Sequence, residues 1–139
     1  MSDWFKIDRQ AEELLTDIQG FLKSVLELDG IKGVLVPRRL PVKNTVMPAL
    51  VSSPEFLDAA DPLAPAFTVN SAKNLSRLTR KGLDASIAAV MRSCEIRAFV
   101  ELVKLHQSER EPVILIGMDC LGALTNRSYP KFAAENPEN

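Results

Sequence analysis

The sequence predicts a small α/β fold: a mostly parallel sheet with flanking helices. Three observations carry this. Residues 87–91 and 113–118 are continuous apolar runs, not alternating ones, the pattern of parallel strands covered on both faces. The stretch between them, residues 94–107, has helical spacing, so residues 86–118 form one strand–helix–strand crossover. Ahead of them, residues 7–28 carry apolar side chains at intervals of three and four, one stripe along one helical face.

Taken in order, the first helix spans residues 7–28, with Asp3 or Asp8 as cap and Asp29-Gly30 as its stop. Gly20, at mid-helix, costs ~1 kcal/mol relative to alanine and marks a possible close contact. A short buried strand follows over residues 33–36 and ends at Pro37. Prolines at 37, 41, 48, 54, 62 and 65 punctuate the next stretch. They fix φ and remove ladder donors, which leaves room for a short strand at 49–51 and excludes long central ones. Ser52 or Ser53 followed by Pro54 starts a short helix that ends near Ala60. Residues 67–69 read as another strand. Asn70 or Ser71 then caps a helix to about Lys81, with Gly82 ending it. The linking helix of the crossover is apolar around most of its circumference and is expected to be well buried. The sequence divides into a single domain over 1–125 and a polar C-terminal tail over 126–139, frayed except for an anchor at Tyr129 and Phe132.

The chain has 139 residues, of which 46% are apolar, enough for one core without staples. A net charge of −1 and an aromatic fraction of 6% exclude the basic stripe and stacking platform of a nucleic-acid binder. No apolar stretch reaches the roughly 18–20 residues that span a bilayer, and the first nine residues lack a signal-peptide core. These features point to a cytoplasmic protein, where two cysteines remain free thiols.

Those cysteines, Cys94 and Cys120, follow the two crossover strands and fall on one carboxyl edge of the sheet. In open α/β sheets that edge is where ligands bind. Ser93 reads as an N-cap, which sets Cys94 in a first helical turn, where the helix dipole favours a thiolate. Thiolates bind metal or attack electrophiles, yet free cysteine is also among the most buried residue types. The spacing matches no closed zinc pattern, and His106, the single histidine, stands at the far end of the linking helix. Arg38 and Arg39 end the first strand and Lys43 lies just beyond, a set suited to a phosphate or an acidic coenzyme tail. Asn70 and Ser71 at a helix start can also meet a phosphate, although plain capping is the more usual role of such residues. There is no dinucleotide fingerprint, P-loop or nucleophile elbow.

The segment Ile87-Ala-Ala-Val-Met-Arg-Ser-Cys-Glu-Ile-Arg-Ala98 resembles one in the beta subunits of deazaflavin-linked (coenzyme F(420)) hydrogenases and dehydrogenases, where a strand leads into Pro-Cys-Glu/Gln and then a helix. Ile114-Leu-Ile-Gly-Met-Asp-Cys-Leu-Gly122 is similar to that family's second strand and its apolar-Gly-x-x-Cys-x-Gly element. Phe21-Leu-Lys-Ser-Val-Leu-Glu-Leu-Asp-Gly-Ile-Lys-Gly-Val-Leu-Val36 looks like its early helix and strand. The resemblance covers roughly residues 14–124. It implies an iron–sulfur flavoprotein lineage passing electrons between a partner enzyme and a low-potential acceptor. Cys94 and Cys120 would then be metal ligands of an iron–sulfur cluster, and Arg38, Arg39, Lys43, Asn70 and Ser71 would face FAD or the deazaflavin coenzyme.

Three departures qualify the match. Ser93 replaces the family's proline, Asp8-Arg-Gln-Ala-Glu-Glu13 replaces a glycine-rich Ser-Gly-Gly stretch, and the chain stops soon after Cys120. A four-iron cluster commonly takes four thiolates, and two are present. The expectation is a truncated or split member, not catalytic alone, whose cluster is shared with another oxidoreductase subunit or a second copy of itself. Two competing readings of the residues are a scaffold subunit without its own cofactor and a thiol redox switch.

Overall fold

The computed structural model describes residues 11–42, 44–120 and 122–137. It is an α/β fold with a four-stranded mixed sheet ordered β2-β1-β3-β4. The elements run α1 (Ala11–Leu26), β1 (Ile31–Arg39), β2 (Val46–Val51), a 3-10 helix (Pro54–Ala59), α2 (Ser71–Thr79), β3 (Ser86–Arg92), α3 (Ser93–Lys104), β4 (Val113–Met118) and α4 (Tyr129–Glu135). Strands β1, β3 and β4 are mutually parallel, and β2 pairs with β1 antiparallel. The crossover β3–α3–β4 returns the chain to the adjacent strand, from Ile87↔Val113 to Arg92↔Met118.

Strand alternation divides the core into two layers. Val34, Val36, Ala88 and Val90 face α1, where Leu22 and Val25 pack against them with Leu57 of the 3-10 helix. Leu35, Ile87, Ala89 and Met91 face the other way, onto Ala72 and Leu75 of α2 and Phe99 of α3. Neighbouring strand residues thus feed opposite faces, and the sheet is covered on both, as its continuous apolar runs require. A third, smaller cluster joins Val46, Ala64, Ala66 and Tyr129 beyond the carboxyl edge.

Several elements depart from the sequence expectation. Strand β1 does not stop at Pro37 but runs on to Arg39. Its pairing with β3 ends at Leu35, so no parallel-ladder donor is asked of Pro37, which lies opposite Pro48 of edge strand β2. Residues 67–69 form no strand; Thr68 instead donates its hydroxyl to the Val46 carbonyl at 2.9 Å. Helix α3 buries Phe99 and Glu95 but leaves Val100 and Leu105 exposed, so one side is open. The polar tail holds α4, whose Tyr129 is buried. The expected caps Asp3 and Asp8 and residues 7–10 of the first helix lie outside the described residues.

Phe99 is fully buried between α3 and the sheet. Phe99→Ala is expected to lower unfolding stability by about 3–5 kcal/mol, through lost burial and the cavity left behind. Val100→Ala, on the exposed side of the same helix, should cost under about 1 kcal/mol. Urea unfolding of both variants measures the contrast.

Candidate functional site

The carboxyl edge is built where β3 turns directly into α3. Arg92 is at once the last residue of β3 and the N-cap of α3, so Ser93 is the first helical residue and Cys94 the second. Ser93 is therefore not the cap, but Cys94 keeps its place in the first turn. The junction is locked by Glu95, which is buried at 4% exposure. One of its carboxylate oxygens accepts the Arg92 backbone N–H at 2.9 Å, and the other accepts the Ser71 backbone N–H at 2.8 Å. A single carboxylate thus satisfies donors at the starts of two helices, where negative charge is also favoured by the helix dipoles.

Cys94 and Cys120 are both free and exposed. They line one open depression of about 370 Å³ with Phe67, Arg92, Leu124 and Thr125. The far wall comes from the loop after β4, where Gly122 adopts φ +129°, a conformation that favours glycine. That loop is tied down by the Leu124 N–H, which donates to the Pro65 carbonyl at 2.7 Å, and by a parallel bridge between Ala66 and Leu124.

The arginines ending β1 serve a different part of the edge. Arg39 donates through Nε to Asp61 at 2.6 Å, and Asp61 is buried. Arg39 also lines a separate cleft of about 350 Å³ with Asn44, Val46 and Tyr129. Arg38 lies over the Phe56 ring, 5.2 Å from its centroid, with its buried Nε unpartnered. Neither arginine lines the thiol depression, and Lys43 lies outside the described residues.

The backbone at Asn70 and Ser71 is engaged within the protein. Asn70 accepts the Ala72 N–H at 2.9 Å through its side chain, and the Ser71 N–H is held by Glu95. His106 is exposed just beyond α3, at φ +56°.

The structure adds four residues that hydrophobic periodicity did not mark: Asp61, Phe67, Arg92 and Glu95. The signal for Glu95 was its place three residues after Arg92 at a strand–helix junction, the spacing of an N-terminal capping carboxylate. Among the described residues no group of three or more histidine, cysteine or acidic side chains is placed to hold a metal ion. No described helix is long and apolar enough to cross a membrane. No known protein-family model matches the chain.

Two outcomes follow from this geometry. Glu95→Ala should cost about 3 kcal/mol, because it strands two buried N–H donors, while Glu95→Gln retains an acceptor and should cost about half as much; thermal unfolding separates the two. Burial, then the Asp61 carboxylate, hold the Tyr129 hydroxyl above its ordinary phenol range, with Arg39 offsetting part of the effect. The folded state therefore binds this proton more tightly than the unfolded chain. The stability gained is intact below about pH 10 and is lost as pH rises through the folded-state value. Stability measured against pH should show this alkaline loss in the native chain and a smaller one in Tyr129→Phe.

Proposed function

We propose that the chain is a subunit or domain of an iron–sulfur/flavin electron-transfer oxidoreductase complex, related to the deazaflavin-linked hydrogenase and dehydrogenase beta subunits that its cysteine elements resemble. The observation that carries the reading is the shared depression: both thiols open onto one space at the carboxyl edge. Two soft thiolate donors fit half the ligand set of a four-thiolate cluster. The remaining thiolates would come from a partner, either another oxidoreductase subunit or a second copy of this chain. A cluster there would supply one-electron transfer; the chain's own part is to present Cys94 from a helix start and Cys120 from the loop after β4.

The separate cleft at Arg39 supports a role for that arginine toward a flavin or coenzyme phosphate. At about 350 Å³ it sits at the small end of ligand pockets, the size of a phosphate-bearing fragment more than a whole dinucleotide. Asn70 and Ser71 add nothing to this reading: the Asn70 side chain caps α2 at the Ala72 N–H, and Ser71 is buried with its N–H on Glu95.

The exposure of both thiols on the same depression also favours a second reading, a reversible Cys94–Cys120 disulfide. With glutathione disulfide as oxidant, the two protein thiols would give up two electrons and two protons, and glutathione disulfide would become two glutathione molecules.

The decisive experiment is anaerobic purification with associated subunits, followed by iron and acid-labile sulfide analysis and visible spectroscopy. The expected result is iron with broad visible absorption, both lost in a Cys94→Ala, Cys120→Ala double variant. A colourless, iron-free assembly overturns the cluster reading. An intramolecular disulfide found by mass spectrometry after glutathione disulfide treatment of that iron-free protein would establish the switch in its place.

A further inference from the structure

We infer that the thiol depression is an anion site in which Arg92 bears the charge, so that whatever seats between Cys94 and Cys120 is negatively charged. This deepens the reading above, and rests on it for the identity of the bound group but not for its charge. The starting observation is a buried guanidinium with one donor unmet and no carboxylate hydrogen-bonded to it. Arg92 is 8% exposed, and a guanidinium cannot shed its proton to escape burial. Its Nη2 donates to the Ala64 carbonyl at 2.7 Å. Its Nη1 is buried and has no hydrogen-bond partner.

A buried acid beside it, Glu95, lines the same small cavity and carries the opposite charge, but neither of its oxygens takes the spare donor. The two Glu95 oxygens accept backbone N–H groups from Arg92 and Ser71. Asp119 precedes Cys120 in sequence but does not line the depression. The Phe67 ring, 5.8 Å from the guanidinium carbon, offers a π face and no formal charge. A permanent cation held this way, with a buried donor unmet, lacks part of the compensation that buried charges need.

The placement says where that compensation enters. Among the described residues lining the depression, Arg92 is the single charged one. It shares that lining with Cys94, which sits in the first turn of the twelve-residue helix α3. Helix geometry leaves the first amides there without intrahelical acceptors, and the positive end of the dipole adds to the arginine. The ligand class is a compact polyanion. A cluster carrying four thiolates is one such group, and a free tetrahedral oxyanion is another.

The test reads charge selectivity directly and needs no cofactor. Each cysteine of the purified, reduced chain is alkylated with iodoacetate, which is anionic, or with iodoacetamide, which is neutral, and the rates are followed by mass spectrometry. In the folded chain the iodoacetate-to-iodoacetamide rate ratio should exceed that of the urea-unfolded chain by about tenfold, the scale of one charge-assisted contact. Sulfate should slow iodoacetate saturably, whereas chloride at matched ionic strength should not. Arg92→Met should bring the ratio down to the unfolded value, and Arg92→Lys should keep part of it.

A folded-chain ratio equal to the unfolded one, or indifference to sulfate, overturns the inference. A full ratio in Arg92→Met overturns the assignment to Arg92. Should Arg92→Met fail to fold by circular dichroism, the native-chain ratio and the sulfate arm decide. An iron-loaded complex whose free chain shows no anion preference would sink this inference and leave the electron-transfer reading standing. A strong preference in a chain whose complex holds no iron would do the reverse, and would assign the site to a free oxyanion.

Discussion

The Glu95 carboxylate is the constraint on which the edge of the sheet depends. It sits inside the protein and accepts two backbone N–H groups from segments twenty or so residues apart. Without it, the junction from β3 into α3 would bury donors at Arg92 and at the start of α2, each costing the desolvation of an unmet polar group. With it, β3 can pass into α3 with no connecting loop. That abruptness positions Cys94: a thiol in the first turn of a helix that begins where a central strand ends has little backbone freedom. Arg92, on the other side of the same junction, is fixed by the same bonds.

Asp61 plays the matching part at the end of β1. Its backbone N–H donates to the Pro37 carbonyl, and its side chain accepts from Arg39 and from the Ala64 N–H. Two buried acids therefore organise two stretches of the carboxyl edge, and each stretch carries an arginine. The outcomes differ. Arg39 meets a carboxylate and keeps a partly exposed head at its cleft, while Arg92 meets a carbonyl and a ring and keeps an unmet donor. The Arg39 pairing is thus complete within the fold, whereas one Arg92 donor is unmet. The spaces along this edge also share walls: Val46 lines the Arg39 cleft and a small cavity of about 20 Å³, and Phe67 and Arg92 line that cavity and the thiol depression.

Much of the fold was legible because burial on both faces leaves a strong mark. The runs at 87–91 and 113–118 had to be covered strands, and the helix between them had to cross over, which fixed the parallel pair and with it the common edge for both thiols. Proline left room for the short strand at 49–51, which is part of β2, but it shortened β1, since the sequence did not reveal that pairing with β3 ends before Pro37. Residues 67–69 have the composition of a strand, but they reach edge strand β2 through the Thr68 hydroxyl on the Val46 carbonyl and form no strand. In the tail the anchors Tyr129 and Phe132 were legible as its large aromatic residues, and they pack with Val46, Ala64 and Ala66, while the short helix that carries them was not. At the site, the thiols were visible as rare residues in a repeated context. Arg92 and Glu95 were not, because a charged pair at a strand–helix boundary normally reads as solvated surface, and only the tertiary approach of α2 buries it.

The segment from Asp61 to Ala66 braces the two thiol-bearing walls against each other. The Ala64 carbonyl takes the Arg92 guanidinium, which belongs to the Cys94 wall. One residue on, the Pro65 carbonyl takes the Leu124 N–H, and Ala66 bridges to Leu124, both on the Cys120 wall. Asp61 anchors the segment to β1 through Pro37. The thiols, each two residues past the paired Arg92 and Met118, are thus braced further by a third piece of chain that contributes neither of them. A stretch of prolines and small residues suits this work: it has little conformational entropy to lose, and its alanines allow both walls to approach closely. The two thiols are in this sense held in place by backbone contacts, on a depression that is open on one side.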